Sequence, residues 1–490
     1  MGDRESFVSP EGRAAPTAAA ALTTLVSGRR AGVFHPGSTT PVKRFVASRM
    51  GRRLAGSAFW SLSGSIGSRL LALLAAVLVA RQLGATAFGE FNLVQTTAGM
   101  LMALGGFGLN TTATKFLAGK YREDPRAAGR VIGLSGMMAG LVGGVTGIVL
   151  AVGAPFVARE VLGAPGLAGP LRLGSLLLLF GPVNGAQLGV LMGLERFRLI
   201  AIVTAAAAAL SVPLLVLGAR HGGMGGAVAA LVLTAALTTV LYQGAMRMAA
   251  HAAGIRPAFR DAFAEWRILF SYSVPTTLGN MLLAPVTWIT SAVIANQLDG
   301  VRQLGLYAAA NQWRNAILLL ATSAGAVLFP LFSHLHDSGR PRSFSRAFWV
   351  SFGVTAAASL LAAAVLSAAA PRVMRAYGAE FADGAGVMVL LVVTGALAAP
   401  LAIVGHAIAG AGRMWLGLGL NVAWAVVLLT ATYVLRTRGA AGLSVANLAA
   451  SAVHLVLSLI CAWAVLRRAQ REATARAGTP SELIQELPHA

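Results

Sequence analysis

Two arginines stand where a membrane protein ordinarily has none. The first long apolar run, 57–80 (SAFWSLSGSIGSRLLALLAAVLVA), carries Arg69 at its thirteenth position. At about 1.5 Å of helical rise per residue, that places a guanidinium near the middle of a hydrocarbon core. An intramembrane charge is costly and usually faces a bundle interior or a wet cavity, so Arg69 marks a site for something anionic, or else a group that satisfies neighbouring carbonyls. Arg314 sits ten residues into a later run, within Asn311-Gln312-Trp313-Arg314-Asn315, again near half-depth. All seventeen acidic residues fall in tails, connections or span ends, so no carboxylate is placed to neutralise either arginine. A cavity lined this way attracts phosphate, which the planar guanidinium fork binds through two parallel hydrogen bonds. It is poorly suited to a cationic drug, and it lacks the buried carboxylate of a proton relay or a Na⁺ site.

Further polar positions along the expected cavity are Gln95, Asn184, Gln187, Tyr272, Asn280 and Asn421. They suit hydrogen bonding to sugars, or interhelical bonding inside the bundle. His406 and His454 also lie in apolar runs, where a neutral, satisfied imidazole is the ordinary state. No P-loop, nucleophile elbow or metal-ligand spacing occurs, so neither ATP-driven transport nor catalysis is expected, and no cofactor is implied. Cys461 is the single cysteine, which excludes an internal disulfide.

The elements that would position these groups are transmembrane helices. Of 490 residues, 56% are hydrophobic and 11% charged, with mean hydropathy +0.72, the profile of an all-α polytopic membrane protein. Twelve spans are expected at 57–80, 88–109, 131–157, 171–194, 199–219, 224–246, 268–295, 304–333, 347–371, 386–411, 414–435 and 441–466. The net charge of +22 is distributed by side: 28 basic residues lie in the segments on the side of the termini, nine in the opposite connections and two within spans. This asymmetry places both termini in the cytoplasm and explains the basicity without nucleic acid. No connection is long enough to hold a catalytic domain.

Residues 1–50 form a basic tail too poor in bulky apolar groups to fold alone, and Met50, opening MGRRLAGSAFW, offers an alternative start. Residues 51–246 are expected as an N-terminal lobe with spans 1–6, 247–267 as a cytoplasmic linker, 268–466 as a C-terminal lobe with spans 7–12, and 467–490 as a cytoplasmic tail. Four short matches relate the halves in one nearly fixed register. Among them, Phe88-Gly89-Glu90-Phe91 answers Leu304-Gly305-Leu306-Tyr307, and Gly222 with Gly225 answers Gly439 with Gly442. Six spans per half make this a parallel repeat, with cargo expected between the lobes near mid-depth. Pro182, Pro275, Pro285 and Pro400 interrupt spans and are expected as kinks.

The stretch from Gly56 to Leu134 resembles the N-terminal half of bacterial polysaccharide export flippases. Its marks are a span with a central arginine, then Ala80-Arg81-Gln82-Leu83-Gly84, Phe88-Gly89-Glu90-Phe91, Ala113-Thr114-Lys115-Phe116 and Tyr121-Arg122-Glu123-Asp124-Pro125. These flippases belong to the superfamily of multidrug, oligosaccharidyl-lipid and polysaccharide exporters. The resemblance implies two six-helix lobes in a V-shaped bundle in the bacterial inner membrane, alternating between inward-open and outward-open states. The implied cargo is an undecaprenyl-pyrophosphate-linked oligosaccharide for O-antigen, capsule or exopolysaccharide assembly, with membrane lipids and glycan polymerase or export proteins as partners. Arg69 and Arg314 would hold the diphosphate, and Gln95, Asn184, Gln187, Tyr272, Asn280, Asn311, Gln312 and Asn315 would line the glycan path. The alternatives are a cation-coupled drug antiporter of the same superfamily and a noncatalytic scaffold for glycan assembly. A polymerase or ligase is disfavoured by the short outer connections.

Overall fold

The computed structural model describes residues 49–105, 109–120, 123–258, 282–337, 341–410 and 414–477. Residues 60–490 form one unit, and all contacts given below lie within it. The helices are α1 (Arg49–Gly105), α2 (Leu109–Lys120), α3 (Pro125–Phe156), α4 (Ala168–Gly174), α5 (Leu176–Gly193), α6 (Phe197–Ala252) and α7 (Leu283–Ala295). The chain continues through α8 (Gly300–Asp337), α9 (Pro341–Tyr377), α10 (Ala385–Ala398), α11 (Leu401–Gly410), α12 (Met414–Leu435) and α13 (Gly439–Ala477). No strand occurs among the described residues.

Seven helical stretches here are long and apolar enough to cross a bilayer. Three of them contain a turn: Ile66–Gly105 at Gly84, Phe197–Ala252 at Gly223, and Trp415–Ala464 at Gly439. Each therefore crosses twice, so the seven make ten passes, and α7 and α8 stand where hydropathy leads one to expect two more. Side chains such as Val152 (76% exposed) and Leu361 (68% exposed) leave α3 and α9 with apolar outer faces. Those faces require lipid as their solvent, and the closed backbone hydrogen bonding of helices is what lipid demands.

Passes 1, 3, 5, 7, 9 and 11 all end in a turn at what we call the distal end, opposite the end near the termini. Each turn contains one residue with positive φ: Gly84, Gly163, Gly223, Asp299, Gly378 and Gly439. Glycine reaches this conformation without penalty, and Asp is among the few side chains that tolerate it. The six fall into pairs. Asp299 follows Gly84, Gly378 follows Gly163 and Gly439 follows Gly223, all at the spacing of the sequence repeat.

Because lipid offers no hydrophobic drive for one helix to bury apolar surface against another, close backbone approach through small residues carries much of the packing. A Cβ on Gly189 would fall on the backbone of Asn110, joining α5 to α2, and one on Gly143 would fall on the Leu178 carbonyl, joining α3 to α5. The expected proline kinks are only partly present. Pro182 lies inside α5 without ending it, Pro285 occupies the first turn of α7, Pro400 marks the break between α10 and α11, and Pro275 lies outside the described residues. Breaks also fall at Ser175 between α4 and α5 and in the π turn Val157–Val161, which follows Pro155 near the end of α3.

Asp124 starts α3, accepting from the amides of Ala127 at 2.9 Å and Arg126 at 3.0 Å, with Pro125 at the first helical position. Chiefly through the Ala127 amide, these bonds hold its carboxyl below the usual range. The cap therefore stabilises the fold above the carboxylate's unfolded pKa of about 4, and that contribution is lost as pH falls through the lower folded value. Thermal midpoints from pH 5 to pH 3 should fall less steeply for Asp124→Asn than for the wild type. A second prediction concerns glycine. Gly140→Ala points into open space and should leave the midpoint unchanged or raised, since alanine is favoured over helical glycine by roughly 1 kcal/mol. Gly89→Ala would place its methyl on the Val301 carbonyl and should lower the midpoint, overpacking costing about 1–3 kcal/mol.

Candidate functional site

Arg314 lies fourteen residues into α8, about 20 Å from its distal start at Gly300. Helix α10 packs flush against its backbone. The site where Gly395 lacks a Cβ is 3.2 Å from the Arg314 carbonyl and 3.3 Å from its Cγ, so a side chain there would push the arginine aside. The guanidinium is half-buried. Its Nη1 donates to Asn311 Oδ1 at 3.3 Å, and its Nε is buried with no hydrogen-bond partner. Among the described residues no carboxylate pairs with Arg314, in contrast to Arg302 at the distal end of the same helix, which pairs with Asp299 and Asp383. Two turns nearer that end, Tyr307 lies within reach of the Arg314 charge and accepts at its hydroxyl from Asn447 Nδ2 of α13 at 3.2 Å.

The other expected site residues divide among several places. Arg69 is exposed on the first limb of α1, beside exposed Ile66 and Leu70, with no carboxylate partner among the described residues, and no contact joins it to Arg314. Gln95 is half-buried on the second limb, and Gln312 and Asn315 are half-buried beside Arg314. Asn184 and Gln187 are engaged between helices of the first half. Asn184 donates to the Ala235 carbonyl and accepts from Thr239 at 2.7 Å, and Gln187 Nε2 donates to Gln243 Oε1 at 2.8 Å. Asn421, His406 and His454 are half-buried in the second half. Tyr272 and Asn280 lie outside the described residues.

What lies over Arg314 is a closed seam between the chain's halves. One apolar core draws on both: Phe88, Val94, Leu162 and Leu171 from the first, Ile294, Leu306, Phe381 and Leu391 from the second. Towards the proximal end the cores separate. One is built only of first-half residues such as Leu117, Ile132, Leu191 and Met246, and another only of second-half residues such as Phe332, Phe348, Ile403 and Leu466. Among the described residues the halves therefore meet distally, and their proximal cores are separate.

Three kinds of contact make the seam. A Cβ on Gly89 would fall on the Val301 carbonyl, and one on Gly305 on the Ala85 carbonyl, with the two glycine amides 3.0 and 3.2 Å from these positions. Gly305 stands to Gly89 as Val301 stands to Ala85, in the register of the repeat, so the contact is reciprocal. Two diagonal links flank it. Glu380 Oε2 accepts from the Ala85 amide at 2.8 Å, and Asn296 Nδ2 donates to the Val161 carbonyl at 2.7 Å. The Ala85 amide is free because Gly84 breaks the helix, and a carboxylate there also meets the positive end of the helix dipole. Deeper in, Trp288 Nε1 donates to Thr97 Oγ1 at 2.9 Å, and Phe88 meets Phe381 edge to face at 6.0 Å between centroids.

Tyr307, Asn447 and Glu380 were not singled out from the sequence. A signal for Asn447 exists in the spacing of Ser444, Asn447, Ser451, His454 and Ser458, a polar line on one face of α13. Glu380 offers none, since its partner is a backbone amide 295 residues away.

Residues 54–336 match the polysaccharide biosynthesis protein family. The chain is 25% identical over 408 residues to the EPS I polysaccharide export inner membrane protein EpsE of Ralstonia nicotianae, covering 81% of this chain and 90% of the relative. Among solved structures it resembles an inward-facing multidrug resistance MATE family transporter of the MOP superfamily. The TM-score is 0.71 at 15% identity, over 84% of this chain and 99% of that one. It also resembles the lipid II flippase MurJ in an inward closed conformation, with TM-score 0.65 at 12% identity over 84% and 90%. The fold is shared with both.

Removing the Glu380 carboxylate should loosen the seam. With Cys461 replaced by serine and Ala85→Cys as reporter, Glu380→Ala should speed labelling by a membrane-impermeant maleimide several-fold. Loss of a helix cap is worth about 0.5–2 kcal/mol. An unchanged rate would show that Glu380 does not hold the halves together.

Proposed function

Because this chain belongs to the polysaccharide biosynthesis protein family, we propose that it is a polysaccharide export transporter of the bacterial inner membrane. Its cargo is an undecaprenyl-pyrophosphate-linked oligosaccharide, carried from the cytoplasmic to the outer leaflet. The observation that carries this reading is Arg314, a guanidinium at mid-depth with a buried, unpartnered Nε and no carboxylate partner among the described residues. In a low-dielectric interior such a group is balanced best by an anion that arrives with the cargo. A diphosphate ester bound to a lipid tail fits that requirement.

The charge asymmetry of the connections supports cytoplasmic termini, which makes the distal seam the outer barrier. The chain's halves then act as two lobes related by a parallel repeat, a reading supported by the constant spacing of the positive-φ turns and by the reciprocal Gly89 and Gly305 contact. Cargo enters from the cytoplasmic side, where the two cores are separate, with its tail left in the bilayer. The diphosphate reaches Arg314, the distal contacts part, and the glycan is exposed outside. Arg69, exposed on the first limb of α1, is a second cation at about the depth of Arg314 and a second candidate for the headgroup. The likeness to a multidrug transporter concerns the fold, and a cationic drug would meet an uncompensated positive charge in this interior.

The test is leaflet exposure of a diphosphate-linked oligosaccharide in proteoliposomes. Wild-type protein should move it, and Arg314→Ala should slow it at least tenfold, a charged hydrogen bond being worth about 1.5–3 kcal/mol. Undiminished movement by a folded Arg314→Ala protein would remove Arg314 from the mechanism, and no movement of any diphosphate-linked glycan by the wild type would overturn the function.

A further inference from the structure

We infer that Tyr307 is a second anion donor, held by Asn447 so that its hydroxyl hydrogen joins the Arg314 guanidinium in binding one phosphoryl group. The inference rests on the reading of Arg314 as the headgroup site. Its argument begins with Asn447, which is 3% exposed. The Nδ2 of Asn447 lies 3.0 Å from the Leu443 carbonyl and 3.2 Å from the Tyr307 hydroxyl. A carbonyl only accepts, so the nitrogen of the amide, not its oxygen, must face Leu443. Both amide hydrogens are thereby assigned, one to Leu443 and one to Tyr307. The phenol is therefore an acceptor towards Asn447, and its own hydrogen must point elsewhere. Among the described residues it has no acceptor.

Helical geometry puts Tyr307 on the same face of α8 as Arg314. Tyr307, Asn311 and Arg314 are spaced four and three residues apart, one face of α8 over two turns. Long side chains on a helix lean towards its N-terminus, so the guanidinium extends from residue 314 back towards Tyr307, and its charge reaches the phenol. Asn311 lies between them and takes Nη1 through its oxygen, fixing the plane of the fork. The cluster then holds the phenol hydrogen, the buried Nε hydrogen and the remaining Nη hydrogens, against the single acceptor Asn311 Oδ1. Donors in such excess call for an acceptor of several lone pairs and negative charge, which a phosphoryl group supplies. The phenol adds a neutral O–H donor beside the charged N–H donors, and phosphoryl oxygens can accept from both at once.

The experiment uses the full-length protein in detergent, titrated by calorimetry with farnesyl diphosphate, with inorganic pyrophosphate and with farnesol. Wild type should bind farnesyl diphosphate, and Tyr307→Phe should weaken that binding about tenfold, the phenol oxygen being the only atom removed. Farnesol binding should stay unchanged, and the thermal midpoint should fall slightly, because the Asn447 amide loses one of its two acceptors. Asn447→Ser, which releases the phenol without deleting it, should give a smaller loss and serves if Tyr307→Phe fails to fold. Pyrophosphate binding with the same response would assign the site to free phosphate rather than to a lipid headgroup and overturn its role in cargo binding. Unchanged farnesyl diphosphate affinity in Tyr307→Phe, with binding abolished in Arg314→Ala, would overturn this inference and leave the headgroup site standing. No binding of farnesyl diphosphate by the wild type would instead overturn the headgroup reading.

Discussion

In lipid, two bundles of helices gain almost nothing by turning leucine towards leucine, so their union depends on how closely backbones approach and on the few polar bonds they exchange. Here that union is concentrated at Gly89 and Gly305, where each glycine faces the carbonyl one turn back on the opposite helix. A methyl group on either would stand on a carbonyl oxygen. Everything else in the distal seam follows from this approach. Phe88 comes within reach of Phe381, Trp288 within reach of Thr97, and Glu380 and Asn296 within hydrogen-bonding distance of backbone on the facing half. Dispersion and oriented hydrogen bonds fall away steeply with distance, so a small separation at the glycines would weaken all of them together. That is the behaviour expected of a barrier with two states.

The site beneath the seam is governed by the opposite kind of force. A guanidinium in a low-dielectric interior acts over a longer range than any packing contact, and it cannot shed its proton to escape the cost. Among the described residues, a single neutral oxygen, from Asn311, compensates it. The residue opposite on α10 is Gly395, which supplies space and no charge. Such a site is destabilised while unoccupied by an anion and stabilised by one, which on the proposed function would couple the state of the protein to its cargo. A carboxylate in place of Gly395 would satisfy the arginine permanently and abolish that coupling.

Much of this architecture was legible in the sequence, because its causes are local. Helical passes follow from apolar length, and glycine marks five of the six distal turns with positive φ. The nearly constant offset between weakly similar motifs was visible, and the structure adds Gly84 with Asp299 and Gly163 with Gly378 in the same register. Asp299 carries no such signal because the repeat preserves a conformation here and not a residue type. The site was legible only in part. Arg314 announces itself by chemistry and depth, whereas Asn184 and Gln187 have the same composition signal and are spent between helices. Which polar group faces a cleft and which faces a neighbouring helix is a matter of rotation about the helix axis. In helices this apolar on all sides, the sequence has no amphipathic stripe to fix it.

The two diagonal links of the seam are unequal, and the inequality bears on how it opens. Glu380 reaches from the turn after α9 to the turn at Gly84, and Asn296 reaches from the turn after α7 to the turn at Gly163. These are equivalent positions in the two halves, exchanged across the reciprocal glycine contact. One link is charged and meets the positive end of a helix. The other is neutral and bonds a single carbonyl. A charged hydrogen bond is worth about twice a neutral one, so the Asn296 side should yield first. Opening would then start as a tilt about the Glu380 side and would not be a symmetric parting. Because each link is worth only about 1–2 kcal/mol at an exposed position, the anion binding proposed at Arg314 would supply enough free energy to shift the balance between closed and open.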